Sequence, residues 1–325
     1  MIAKTRLRNH APIAASGTNK MTDSYAFLEG KLVPLEEAKI SVMTHAFLYG
    51  TAIFEGIRGY YNSQKDELYV FRLIEHYVRF KNNCRILKIE LSQSPEELGE
   101  VTLEVLRKSG FREDVYIRPV AYKSAKRIGL KLDEEDDLTI FAVPMGSYLS
   151  REHALSMMIS SWRRIEDNAI PARSKINGSY VNLSLAAGEA RENGFDEAIL
   201  LNENGSVSEA AGMNIFIVRH GKLITPPVSD NVLEGITRDT VFELARDLKL
   251  PVEERSIDRS ELYIADEVFL CGTGAEVSGI GSIDRRKIAD GEMGPITRKI
   301  QELYFQAVKG QNTRYKKWLT TVWNA

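Results

Sequence analysis

Cysteine is nearly absent from this chain. Cys84 and Cys271 are the only two in 325 residues. No Cys/His cluster has metal-ligand spacing, so neither a disulfide framework nor a structural zinc site is expected, and a reducing, cytoplasmic setting fits. Long apolar runs are also missing. The longest, TIFAVPM at 139–145, is far short of the roughly 18 residues that span a bilayer, so no membrane association is expected. Neither sign of charge dominates. The formal net charge is −2, and no Lys/Arg block offers an electrostatic footprint for nucleic acid. Repeats and low-complexity tracts are absent too. The first 22 residues lack acids and carry Lys4, Arg6, Arg8 and Lys20. Such a start suits an organelle transit peptide or a plain tail; residues 1–21 are expected to be a disordered extension.

What is present is enough for two domains of ordinary size, with 43% hydrophobic residues. From Ser24 to Pro144 the pattern reads as strands with two or three helices. SYAFLEGKLVPLEEAKIS looks like a hairpin turning near Gly30, and GIRGYY and ELYVFRL flank the polar turn NSQKD. SPEELGEVTLEVLRKSG carries a full helix signature. Ser94 is the N-cap, Pro95 takes the first position, Glu97 closes a capping box and Gly110 ends it. After GSYLSREHA (146–154) a second unit begins, with a helix from about Gly178 to Asn193 and others over 237–250, 258–265 and 295–308. Strands and helices mix without regular βαβ alternation, which favours α+β over a doubly wound sheet.

Several short features suggest a ligand site. Lys175 sits between a proline bend at Pro171 and Gly178, ahead of a helix, with Tyr180 five residues on. LEGITRDT puts Gly235, Ile236 and Thr237 at a helix start, where free N–H groups and the helix dipole attract anions, although Thr237 could equally cap the helix. CGTGAEV follows a strand and brings Gly272, Thr273 and Gly274, a loop whose backbone can approach a ligand. Tyr116 and Arg118 are two apart in YIRP, so they share one strand face and suit a carboxylate, or simply a half-exposed strand. Glu209 lies among small residues in SVSEAAGMNIF, where a planar ring could lie close to the backbone. A lysine at a bend, a lone carboxylate and an anion cradle are the three fixtures of a pyridoxal phosphate site.

In this combination the chain resembles the fold-type IV pyridoxal phosphate enzymes, and within them the branched-chain amino acid aminotransferases. The resemblance spans about residues 22–310 through HAFLYGTAIFEGIRGY, VFRLIEHYVRF, YIRP, SSWRR, SKINGSYVNLSLA, SEAAGMNIF, EGITRDT and CGTGAEV, in that order. It implies a two-domain α+β fold like that of D-amino acid aminotransferase, with the cofactor at the domain interface. The expected division is a small domain over 22–147, a connection over 148–156 and a large domain over 157–325. The resemblance also implies that Lys175 bonds covalently to the cofactor. Tyr180 serves its phenolic oxygen, Glu209 its ring nitrogen, and Arg72, Ile236, Thr237 and Thr273 its phosphate. Tyr116, Arg118, Thr273 and Gly274 are implied at the substrate carboxylate, and Tyr148 in the pocket wall. Tyr49 and Phe54 match residues that the family takes from a neighbouring subunit, which implies a homo-oligomer, at least a dimer. The implied activity is transamination of leucine, isoleucine or valine with 2-oxoglutarate. The same scaffold also carries D-amino acid and (R)-amine transaminases and aminodeoxychorismate lyases. Two segments depart from the usual pattern: KINGSY stands for K-x-G-G-N-Y, and SEAAG for SEGAG. The basic tail TRYKKWLTTVWNA carries no function legible in its residues.

Overall fold

The computed structural model describes residues 24–146 and 153–323. The elements run β1 (Tyr25–Leu28), β2 (Lys31–Pro34), α1 (His45–Tyr49), β3 (Ala52–Phe54), β4 (Ile57–Asn62), β5 (Glu67–Phe71), α2 (Leu73–Ile86), α3 (Pro95–Ser109), β6 (Val115–Lys123) and β7 (Asp136–Pro144). They continue with β8 (Leu155–Arg163), α4 (Tyr180–Glu192), β9 (Glu197–Leu201), β10 (Val207–Ala210), β11 (Asn214–Arg219), β12 (Lys222–Thr225), α5 (Ile236–Asp247), β13 (Val252–Glu254), α6 (Arg259–Leu262), β14 (Glu267–Gly272), β15 (Glu276–Ile283), β16 (Arg286–Lys287), α7 (Pro295–Val308) and β17 (Leu319–Thr321). None of the described helices is long and apolar enough to cross a membrane.

The first sheet is antiparallel, in the order β17-β5-β4-β6-β7-β1-β2, with β3 also on β6. In β6, Val115, Ile117 and Ala121 point into a core shared with Leu73, Tyr77 and Phe80 of α2 and Leu103 and Leu106 of α3. The strand's period of two sends Tyr116 and Arg118 to the opposite face. The predicted caps of α3 are all present. Ser94 Oγ accepts from Glu97 N–H, Glu97 Oε2 accepts from Ser94 N–H, and Gly110 closes the helix at φ 68°.

The second sheet is mixed, in the order β10-β9-β8-β15-β14-β11-β12-β13, with β8 parallel to both neighbours. Phe216, Phe269, Cys271 and Val277 on one face pack against α5 and α7. That cluster includes Tyr60 and Phe71 of the first sheet, and Tyr60 and Tyr304 share a hydrogen bond of 3.1 Å between their hydroxyls. The two sheets are thus joined by a common core.

The chain's end departs from the expected division. Residues 157–325 were assigned to the second unit, yet β17 pairs with β5 at the edge of the first sheet. Glu67 fixes it there, its carboxylate accepting from the N–H groups of Val322 and Trp323 at 3.0 and 2.9 Å. The tail with no legible function completes a sheet.

Candidate active site

A cavity of about 440 Å³ lies between the two sheets. Lys175 reaches it from a segment pinned to β3: Phe54 N–H donates to the Lys175 carbonyl at 3.0 Å, and Ile53 pairs with Ile176. Gly178 N–H donates to Gly50 O at 3.2 Å, and a Cβ on Gly50 would stand 2.8 Å from Gly178 Cα. The next residues make a 3-10 turn, Asn177–Ser179, before α4 begins at Tyr180. This turn brings the amine back to the ring that follows it. Lys175 Nζ donates to Tyr180 Oη at 2.7 Å, and Phe54 lies against both, 4.9 Å from Nζ and edge-on to Tyr180 at 4.6 Å.

Glu209 is buried on β10, ahead of a tight turn whose Gly212 has φ 86°. Arg164 approaches Oε1 at 2.9 Å, while Oε2 accepts from Asn214 Nδ2 at 3.0 Å and from Leu233 N–H at 3.1 Å. Burial pushes this carboxyl above its ordinary range, and Arg164 and the Leu233 N–H pull it partly back.

The start of α5 forms the anion cradle. Gly235 is its N-cap with no side-chain cap, so the first N–H groups of the helix stay open to the cavity. Only glycine fits there, because a Cβ would stand 2.0 Å from Asn214 Oδ1. Arg79 of α2 reaches the same wall, and Thr273 and Gly274 close it from the β14–β15 turn. Opposite, Arg118 donates to Tyr116 Oη at 3.0 Å and lies over Phe54 at 4.3 Å. Its Nε is buried without a partner. Gly56 makes room for Tyr116, whose hydroxyl would be 2.1 Å from a Cβ.

Twelve of the residues singled out from the sequence line this cavity: Phe54, Tyr116, Arg118, Lys175, Tyr180, Glu209, Gly235, Ile236, Thr237, Gly272, Thr273 and Gly274. Two others, Arg72 and Tyr49, are not among its lining residues. Arg72 is corrected. It occupies a left-handed N-cap of α2 at φ 51°, and its guanidinium is spent on Asp239 (2.7 Å), Thr240 (3.1 Å) and Glu75 (3.0 Å). It braces α2 against α5, and Arg79, two turns along, reaches the cavity in its place. Phe54, expected from a neighbouring subunit, lines the cavity of its own chain. Tyr49 stands outside the cavity, accepting from Gly129 N–H at 3.1 Å in an exposed apolar strip with Val42 and Phe47. Tyr148 lies outside the described residues.

Sequence reasoning missed Arg79, Arg164 and Asn214. Arg79 had only a faint signal: it stands three residues after His76, at the flank of the buried face of α2.

The donor set fits pyridoxal phosphate. An open helix start with an arginine meets a phosphate, a buried carboxylate meets a ring nitrogen, and an amine lies between them. Comparison with known proteins agrees. The family profile described as Amino-transferase class IV matches residues 52–283. A curated relative, "Probable branched-chain-amino-acid aminotransferase" of Aquifex aeolicus (strain VF5), is 54% identical over 302 residues, covering 92% of this chain and 97% of that one. The fold is similar to the branched-chain aminotransferase of Thermoproteus uzoniensis solved with norvaline, with TM-score 0.89, 45% identity and coverage of 92% and 99%. It is also similar to the T.th. branched-chain amino acid aminotransferase complexed with N-(5'-phosphopyridoxyl)-L-glutamate, with TM-score 0.88, 42% identity and coverage of 93% and 100%. With a profile over most of its length and relatives this close, the chain belongs to the class IV aminotransferases.

Proposed function

We propose that this protein moves the amino group of branched-chain L-amino acids to 2-oxoglutarate, yielding branched 2-oxo acids and L-glutamate, with pyridoxal phosphate as cofactor. The observation that carries the reading is the convergence of Lys175, Tyr180, Glu209 and the α5 cradle on one cavity. The relatives named above support the substrate class, in both the branched-chain name and the glutamate adduct of one of them.

When bound, pyridoxal phosphate supplies an aldehyde for the substrate amine and a ring that withdraws electrons from the α-carbon. The chain's own residues do the rest. Lys175 Nζ would hold the cofactor's aldehyde carbon until the substrate amine displaces it, and the freed amine is then the base that takes the substrate's α-proton and the acid that would deliver a proton to that aldehyde carbon. Tyr180 Oη holds that amine in place. Glu209 presents a carboxylate to the ring nitrogen, with Arg164 and Asn214 fixing its orientation. Arg79, Ile236, Thr237 and Thr273 hold the phosphate. Phe54 and Met145 give the apolar wall that a branched chain needs, while Tyr116, Arg118 and Gly274 receive carboxylate. The buried, partnerless Nε of Arg118 gives glutamate's second carboxylate a donor.

A homodimer belongs to the same proposal. Val42, Met43, Phe47 and Tyr49 form an exposed apolar strip around α1, and a second copy would bury it. The cytoplasmic setting is supported by the free, buried thiols of Cys84 and Cys271.

The visible spectrum of the purified holoprotein tests the reading. Its long-wavelength band should collapse on adding L-leucine and return with 2-oxoglutarate. Collapse with D-alanine alone would move the function to the D-amino acid branch of the scaffold. A protein that takes up no chromophore even when supplied with pyridoxal phosphate would end the role given to Lys175.

A further inference from the structure

Arg79 is held through all three of its guanidinium nitrogens. Nε donates to Glu55 Oε1 at 2.8 Å, one terminal nitrogen to Glu55 Oε2 at 2.8 Å, and the other to the Glu234 carbonyl at 2.8 Å. That leaves one N–H on each terminal nitrogen free for a ligand. Glu234 is the residue before Gly235, so the guanidinium bridges α2, in the first unit, to the anion cradle of α5 in the second.

Glu55 lies between β3 and β4 with no exposed surface. Its Oε2 also accepts from His76 Nδ1 at 2.9 Å, which fixes the imidazole with its proton on Nδ1. Burial pulls the His76 pKa below its ordinary value, with Glu55 offsetting part of that, while Arg79 and His76 together hold the Glu55 carboxyl well below its usual range despite burial. A buried carboxylate–arginine pair is a poor device for stability alone, because a packed apolar pair serves as well. A two-pronged fork is a good device for aiming a guanidinium, since both prongs fix its plane.

We propose that Glu55, braced by His76, is a positioning residue that aims Arg79 at the α5 cradle and thereby sets the affinity of the site for the phosphate of its cofactor. The inference rests on the pyridoxal phosphate reading above. It separates Glu55 from a purely architectural role, in which the carboxylate would only anchor α2 to the β3–β4 connection.

The test compares apoprotein of wild type, Glu55→Gln, His76→Phe and His76→Asn. Dissociation constants are measured for pyridoxal phosphate and for pyridoxal, which lacks the phosphate. E55Q should weaken pyridoxal phosphate roughly tenfold to hundredfold, by analogy with the loss of the outer partner of a metal-ligating side chain. Pyridoxal should weaken by less than about twofold in the same variant, because it makes no phosphate contact. H76F should show a smaller selective loss, and H76N, which keeps a donor near Nδ1, should recover most of it. Equal weakening of both ligands, or no change, overturns the proposal. If E55Q does not fold, the H76F and H76N pair decides in the same terms. Wild-type protein that binds neither ligand would instead defeat the cofactor reading itself, and this inference with it.

Discussion

Lys175 Nζ and Tyr180 Oη lie 2.7 Å apart, joined by a hydrogen bond across a single 3-10 turn. They are five positions apart in the chain, and the backbone on the lysine side is tied to β3 through Phe54 N–H. The amine is therefore held from both ends, by its own carbonyl and by a ring at the start of α4. A free lysine on a loop would lose far more rotamer entropy on reaching the same place.

Tyr180→Phe removes that acceptor and little else. A hydrogen bond contributes about 1 kcal/mol net, and up to about 3 where a partner is ionised. The L-leucine half-reaction should slow by about 5-fold to 100-fold, with folding unchanged. Stopped-flow absorbance measures this directly; an unaltered rate would remove Tyr180 from the machinery.

Gly50 and Gly178 make a matched pair of tests. Gly50 has φ 69° and would carry its Cβ into Gly178 Cα, whereas a Cβ on Gly178 would meet Gly50 O at an ordinary 3.5 Å. Gly50→Ala should cost about 2–4 kcal/mol and displace the Lys175 segment; Gly178→Ala should cost under about 1 kcal/mol. Urea unfolding ranks them. The reverse order would mean that this backbone contact does not hold the lysine.

What the sequence made legible follows from local rules. The α3 caps and the shared face of Tyr116 and Arg118 rest on spacing within a few residues, and both stand as read. β15 was missed because Gly279 and Gly281 dilute its strand signal. Those glycines answer to distant atoms, since their Cβ atoms would stand 2.8 Å from Met293 Cγ and 2.2 Å from Gly291 O. β17 was missed for a similar reason: its partner β5 lies far back along the chain, and no local pattern reports that pairing. Arg72 was read as a phosphate residue and Arg79 was not singled out; the two stand seven residues apart at α2, and only tertiary contacts show that Arg72 is paired to Asp239 while Arg79 reaches the cavity.

That correction has its own test. Arg72→Ala should lower unfolding stability by about 1–3 kcal/mol, since it strands Asp239 and Thr240 and uncovers Trp318, yet leave pyridoxal phosphate affinity within about threefold. Arg79→Ala should weaken pyridoxal phosphate by at least about tenfold. Cofactor titration of the two apoproteins decides; a larger affinity loss from R72A would restore Arg72 to the cradle.

Arg118→Gln probes how one cavity accepts both an apolar and an acidic side chain. Losing the charged fork should raise KM for 2-oxoglutarate by about 10-fold to 100-fold. KM for L-leucine should rise less, because its side chain has no second carboxylate. Steady-state kinetics with each substrate varied would show the split, and an equal rise in both would reduce Arg118 to a general carboxylate contact.

His76 gives the fold a pH dependence whose sign can be worked out. Burial lowers its pKa below the ordinary 6.5, and the bond to Glu55 offsets only part of that. Below pH 6.5 the unfolded chain therefore binds this proton more readily than the folded one. Stability is lost as pH falls from about 6.5 toward the folded value, at up to about 1.4 kcal/mol per pH unit for one proton. Above that ordinary value neither state holds the proton, and the slope vanishes. Glu55, also lowered, acts in the same direction, but only below its ordinary 4.5. Urea unfolding of the apoprotein at about pH 7.5 and about pH 5.5 should show a drop in wild type that is smaller in His76→Asn. The difference between the two proteins isolates this imidazole from the other histidines. Equal drops would mean that His76 takes up its proton in the folded state as easily as in the unfolded one, and that the Glu55–His76 bond does not depend on a neutral ring.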